Sequence, residues 1–203
     1  MKKAGIKSRM LIFSLFCLFN YVFGQKISIL KIDSGFIDPY INFILKSQLA
    51  KYDEYFIYTN RSSWTKDQHF YCLAYQKDKF KSVEYFVDFK TDHYTTQKKF
   101  KIKKRKLRII ESEAQELFNY FEKLNFGHLV IDSLFKKDRK INDTLTEVLR
   151  ITDGSTDVFN FYFDNTFYEI KAYEIEYYQK KMPNQAKSVF ILCRNKFFTL
   201  LQR

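Results

Sequence analysis

Residues 82–89 read Ser-Val-Glu-Tyr-Phe-Val-Asp-Phe. Val83, Tyr85, Val87 and Phe89 alternate with Ser82, Glu84, Phe86 and Asp88. A period of two belongs to a β-strand, whose successive side chains point to opposite faces. A polar turn around Asp92-His93 leads into a second alternation, with Phe100 and Ile102 on one side and Lys99, Lys101 and Lys103 on the other. Upstream, Tyr55–Thr59 and Phe70–Tyr75 are aromatic runs of strand length. Four strands in succession with polar connections predict an antiparallel sheet.

Working outward, helical spacing takes over on both flanks. Asp38-Pro39 marks a helix start, followed by Ile41, Ile44, Leu45 and Leu49 at helical intervals. Ile27–Ile32 before it reads as a first strand. Ser112 and Gln115 have capping-box spacing ahead of Leu117, Phe118, Phe121 and Leu124, and Gly127 suits the position just past that helix. Residues 132–143 are charged and read as irregular. Leu149–Thr152, Asp153-Gly154 and Phe159–Phe163 read as a hairpin, because Asp-Gly tolerates the positive φ of tight turns. Asp164-Asn165 supplies another turn before Tyr168, Ile170 and Ala172. A short helix carrying Ile175, Tyr178 and Met182 stops at Pro183. A last helix begins at Asn184, with Val189, Phe190, Cys193, Phe197 and Leu200 as its core face. The predicted class is α+β: an antiparallel sheet of about 6–8 strands with helices packed on one face.

The start of the chain has a different character. Lys2, Lys3, Lys7 and Arg9 precede Met10–Phe23, a stretch broken only by Ser14 and Asn20, and Gly24 follows. A basic end, an apolar run and a small residue make a secretory signal peptide over residues 1–24, cleaved to leave Gln25 first. The apolar run is shorter than the roughly 20 residues of a spanning helix. Cys17 follows Phe16 in mid-run rather than a small residue, which argues against lipidation. Residues 25–203 then form one domain, periplasmic or extracellular, with no integral membrane segment after cleavage. Its core should be aromatic, since the chain holds 23 phenylalanines and 15 tyrosines. Scarce Gly (5) and Pro (2) exclude a collagen-like or disordered chain. Cys72 and Cys193 sit among apolar neighbours and read as buried thiols, although an exported protein permits a disulfide.

The charge is local. The formal +12 includes the four leader cations. Residues 98–108, KKFKIKKRKLR, hold eight cations and no acid, and the rest of the chain balances. Lys99, Lys101, Lys103, Lys104, Arg105 and Lys106 are the candidate partner-binding residues. They suit an acidic protein partner or an anionic envelope surface. Nucleic acid is not expected, because single-strand binding interleaves cations with stacking aromatics and this run has only Phe100. The alternative is an edge strand whose lysines discourage sheet-to-sheet pairing.

Chemistry-bearing motifs are absent from the sequence. His69, His93 and His128 lie in no recognisable nucleophile or zinc motif and read as solvated polar residues. Asp153, Ser155, Asp157 and Asp164 imitate calcium-loop spacing, but Val158 stands where that loop needs Gly. Glu169, Glu174 and Glu176 read as a strand end and a helix first turn rather than a glycosidase pair. No catalytic residue, metal or cofactor is expected.

The leader, the Phe/Tyr/Lys/Asn/Ile-rich style, Asp153-Gly154, Tyr173, Tyr177, Tyr178 and Pro183 resemble small exported proteins of the Bacteroidota. That resemblance covers about a quarter of the chain and implies an envelope or secreted location. The favoured function is a non-enzymatic protein-binding domain, with an immunity-type inhibitor of an exported toxin as one form. The alternatives are an envelope structural or assembly component, and a hydrolase whose site assembles from scattered residues.

Overall fold

The computed structural model describes residues 39–62, 67–89, 100–129, 134, 138–140, 146–148, 151, 154–163 and 166–201. The leader, the predicted strand at 27–32, the Asp92-His93 turn, Asp153, Asp164-Asn165 and Lys99 lie outside them.

Helix α1 (Pro39–Leu49) is followed by strands β1 (Glu54–Ser62), β2 (Asp67–Gln76), β3 (Lys79–Phe89) and β4 (Phe100–Leu107). Helix α2 (Glu111–Lys123), a 3₁₀ turn (Phe126–His128) and the short strands β5 (Asp138–Lys140) and β6 (Thr146–Val148) come next. The chain ends with β7 (Ser155–Phe163), β8 (Thr166–Tyr173), α3 (Ile175–Lys181) and α4 (Gln185–Leu201). Six strands form one antiparallel sheet in the order β4-β3-β2-β1-β7-β8, and β5 pairs with β6 separately. The class is therefore α+β. Among the described residues, no helix is long and apolar enough to cross a membrane.

Alternation along the strands divides the core in two. Phe56, Tyr58, Leu73, Phe159 and Phe161 point to one face, where they meet Leu117, Phe118 and Phe121 of α2, Ile175 of α3, and Phe190, Cys193 and Phe197 of α4. Phe56 is the hub, with ring centroids 4.6 Å from Phe161, 4.9 Å from Phe197 and 5.1 Å from Phe159. Tyr55, Ile57, Phe70, Cys72, Ala74, Val83, Tyr85 and Val87 point to the other face and meet Ile41, Ile44, Leu45 and Leu49 of α1. Helices thus cover both faces, not one. The physical reason is that the central strands are apolar on each side, so each side needs a cover. The same division separates the two thiols. Cys72 belongs to the α1 face and Cys193 to the opposite face, and both are free and buried.

Three local expectations need correction. Gly154 does not turn a hairpin between 149–152 and 159–163, because β7 already has β1 and β8 on its two sides. No described glycine has positive φ. Gly154 instead admits a close approach: a Cβ there would lie 2.3 Å from Glu174 Cγ and 2.6 Å from Tyr173 Oη. Ser112 does not cap α2. The N-cap is Ile110, without a side-chain bond, and the carboxylate of Glu111 accepts the Phe80 N–H at 3.1 Å. Gly127 does not end α2 either; Asn125 takes the left-handed conformation there, at φ 51°. In addition, β5 falls within residues 132–143, which read as irregular. The last helix starts as expected, with Asn184 Oδ1 accepting the Lys187 N–H at 2.8 Å.

Candidate functional site

The basic run is an edge strand. Among the described residues β4 pairs with β3 alone, from Phe89↔Phe100 to Ser82↔Leu107. Its apolar members behave as the alternation requires: Phe100 and Ile102 pack, half-buried, against the α1-side core. Its cations do not act together. Lys101, Lys103 and Arg105 oppose Asp88, Phe86 and Glu84 on one face, whereas Lys104 and Lys106 oppose Tyr85 and Val83 on the other.

On the first face Arg105 and Lys103 have local partners. Arg105 Nη2 lies 2.6 Å from Glu84 Oε2. His69 Nδ1 lies 2.8 Å from the other oxygen, Glu84 Oε1. Glu84 is buried, while His69 and Arg105 are largely exposed. Tyr71 joins them: burial raises its phenol pKa, and the charge and hydrogen bond of Glu84 raise it further. Lys103 Nζ stands 5.8 Å from the Phe86 ring centroid. His69 is thus a hydrogen-bonded member of a polar cluster rather than simply solvated. The register Phe70↔Tyr85 and Tyr71↔Glu84 sets its strand beside Glu84.

On the second face Lys104 and Lys106 line a cleft of about 560 Å³, together with Lys51, Lys81 and Arg108. Tyr52, Phe80, Val83, Leu107 and Ile109 form its apolar lining. Among the described residues no carboxylate lines it, and no described ion pair involves any of the five cations. Lys51 Nζ sits 4.9 Å from the Tyr52 ring centroid, and Lys81 Nζ donates to Gln76 Oε1 at 2.5 Å. Ser82, also in the lining, is buried with an Oγ that has no hydrogen-bond partner. Like charges grouped around low-dielectric walls raise the local potential and draw in anions.

The cleft gathers residues that are remote in sequence. Lys51 ends the turn after α1, and Lys81 is on β3, two residues from Val83, the partner of Lys106. Neither stands near the basic run in sequence, so no local pattern marked them. Arg108 belongs to the run but lies beyond the strand. The hallmark is spatial: β3 folds back on β2, and β4 on β3.

The other acids have structural roles. Asp157, buried on β7, accepts hydrogen bonds from the Tyr58 hydroxyl, from Asn60 Nδ2 at 2.8 Å and from Arg194 Nη1 at 2.9 Å. Burial raises the Tyr58 pKa and the Asp157 charge adds to it. Arg194 also pairs with Glu176, so that burial, which would lower its pKa, is outweighed and the net shift is upward. Glu174 accepts the Ser155 N–H, and Tyr173 Oη accepts the Gly154 N–H at 2.8 Å while donating to Ile151 O at 2.9 Å. Glu169 pairs with Lys171 at 3.1 Å on the α1 side, remote from Glu174 and Glu176. Asp157 is committed to this buried network rather than to a loop open for calcium. Among the described residues, no group of three or more His, Cys, Asp and Glu side chains is arranged to hold a metal ion. Compared with protein-family models, curated proteins and solved structures, the chain matches none.

Proposed function

We propose that this chain is an exported, non-enzymatic binding domain that captures an acidic protein partner. The observation that carries this reading is the cleft that joins, among the described residues, five cations and no carboxylate. Unpaired exposed cations steer an acidic partner and speed its capture, and the apolar lining supplies contact area once it is seated. An immunity-type inhibitor of an exported toxin is the narrower form of this function. It needs a compact domain and a charged face, and no catalytic group.

A hydrolase reading draws support from the His69–Glu84 contact. Neither residue lines the basic cleft, and Glu84 is shared with Arg105, which holds its charge in a structural pair. The binding reading therefore ranks first.

The test is an affinity capture at physiological salt. The tagged full chain is expressed with its own leader, and its exported form is sequenced from the N-terminus. An acidic protein retained by the parent and lost by Lys104→Glu/Lys106→Glu supports the reading. A partner retained equally by both overturns the role of the cleft. No partner at all overturns the binding function. A chain that keeps residues 1–24, or stays in the cytoplasm, overturns export.

A further inference from the structure

Strand β4 closes one side of the six-stranded sheet, and its outer side meets no strand among the described residues. In a paired strand, alternate residues send N–H and C=O to opposite sides. Half of the peptide groups of β4 therefore face outward. The strand has eight residues and no proline, and Lys101 and Lys103–Lys106 are all exposed. An open edge of that length is a template for another strand unless something discourages pairing.

Here the discouragement is charge, with five cations in eight residues. Charge is selective, unlike a proline or a bulge. It repels a second copy of β4, and any basic strand, because like charges placed opposite one another are destabilising. It favours an acidic strand, because opposite charges placed across from one another on neighbouring strands are stabilising. The two faces of β4 are not equivalent for such a strand. On one, Arg105 already holds Glu84. On the other, Lys104 and Lys106 stand with Lys51, Lys81 and Arg108 around the cleft.

We propose that β4 is a docking strand. An extended acidic segment of the partner protein adds to the sheet beside it, with acidic side chains at alternate positions on the α1 side, over Lys104 and Lys106. Backbone pairing supplies the docking geometry and charge supplies the selection. The proposal rests on the acidic-partner reading and adds a mode of recognition to it.

The test uses labelled eight-residue peptides that alternate Glu and Thr. In a strand, side-chain face and backbone edge share a period of two, so all Glu N–H groups line one edge and all Thr N–H groups the other. Two further peptides carry N-methyl groups, one on every Glu and the other on every Thr. All three have the same charge. Strand addition predicts that one methylated isomer binds like the unmodified peptide. The other weakens about tenfold or more, because its N-methyl groups remove several backbone hydrogen bonds at once. Lys104→Glu/Lys106→Glu should abolish binding of every peptide, while Lys101→Glu/Lys103→Glu should weaken it less. Equal binding of the two methylated isomers overturns strand addition and leaves acidic-partner capture standing. Peptide binding unaffected by Lys104→Glu/Lys106→Glu overturns the proposed face. Failure of all three peptides to bind the parent chain overturns β4 as a docking strand, whereas the protein capture experiment tests the broader reading on its own.

Discussion

Lys104 and Arg105 are chain neighbours that serve opposite faces of one strand. Lys104 opposes Tyr85 and lines the basic cleft. Arg105 opposes Glu84 and places Nη2 2.6 Å from its carboxylate. Substitutions in the run should accordingly separate into two classes. Lys104→Ala/Lys106→Ala should weaken acidic-partner binding with almost no change in stability. Arg105→Ala should leave binding nearly intact and lower stability by about 1 kcal/mol or less, because Arg105 itself is exposed and screened. Paired titrations and urea melts distinguish the classes; equal effects on binding would refute the division.

The Asp157–Arg194 pair is a different case, since both side chains are nearly buried. Removing the cation strands a charge that, among the described residues, keeps Tyr58 and Asn60 as partners. Arg194→Met should therefore cost about 3 kcal/mol. Adding Asp157→Asn to it should restore part of that loss, since the buried charge goes too. A chemical-denaturation cycle over the four forms measures the coupling, and additive losses would mean that the pair does not interact.

Gly154 is required by the space around it. Gly154→Ala sets a methyl against Glu174 Cγ and Tyr173 Oη, and the Tyr173 bonds to Gly154 N and Ile151 O must shift. The expected loss is about 1–3 kcal/mol. Gly154→Ala combined with Tyr173→Phe should not be additive. A stability equal to the parent in the single variant would contradict the close approach.

High pH should unfold this protein early. Burial pushes the phenols of Tyr55, Tyr58 and Tyr85 and the thiols of Cys72 and Cys193 upward, and Tyr75 rises to about 12. In the unfolded chain these groups ionise from their ordinary values of 9.0 for cysteine and 10.0 for tyrosine. Above those values the native state binds more protons than the unfolded state, so stability falls as pH rises. The contribution is complete below about pH 9 and declines above it. Denaturation midpoints should be level from pH 7 to 8.5 and drop steeply above pH 9.5. Both thiols should resist alkylation in the folded protein, and a flat alkaline limb would count against their burial.

Much of the fold was legible in advance, and the misses have identifiable causes. The alternation at 82–89 placed β3, and the helical stripe from Val189 to Leu200 placed α4, because periodicity reports which side chains share a face. The β2–β3 turn escaped notice. It is built from Lys77 and Asp78, both at positive φ, instead of the Asn-Gly or Asp-Gly that announce such turns. Asp53 Oδ2 accepts the Lys77 N–H at 3.1 Å and Tyr75 donates to Asp78 at 3.2 Å, so one tertiary and one local side-chain bond hold a turn that local propensity does not favour. The Asp-Gly pair at 153–154 misled for the converse reason, since the edges of β7 were already filled by β1 and β8.

The sequence by itself determined the α+β class, most of the strands and helices and the aromatic character of the core. These follow from periodicity and composition, which act over a few residues. Only the tertiary structure decided that α1 covers the second face, that Glu84 joins His69, Tyr71 and Arg105, and that Lys51 and Lys81 stand with Lys104 and Lys106. Those are contacts between residues a dozen or more positions apart. Strand order and register create them, and one residue of slip would carry each side chain to the opposite face.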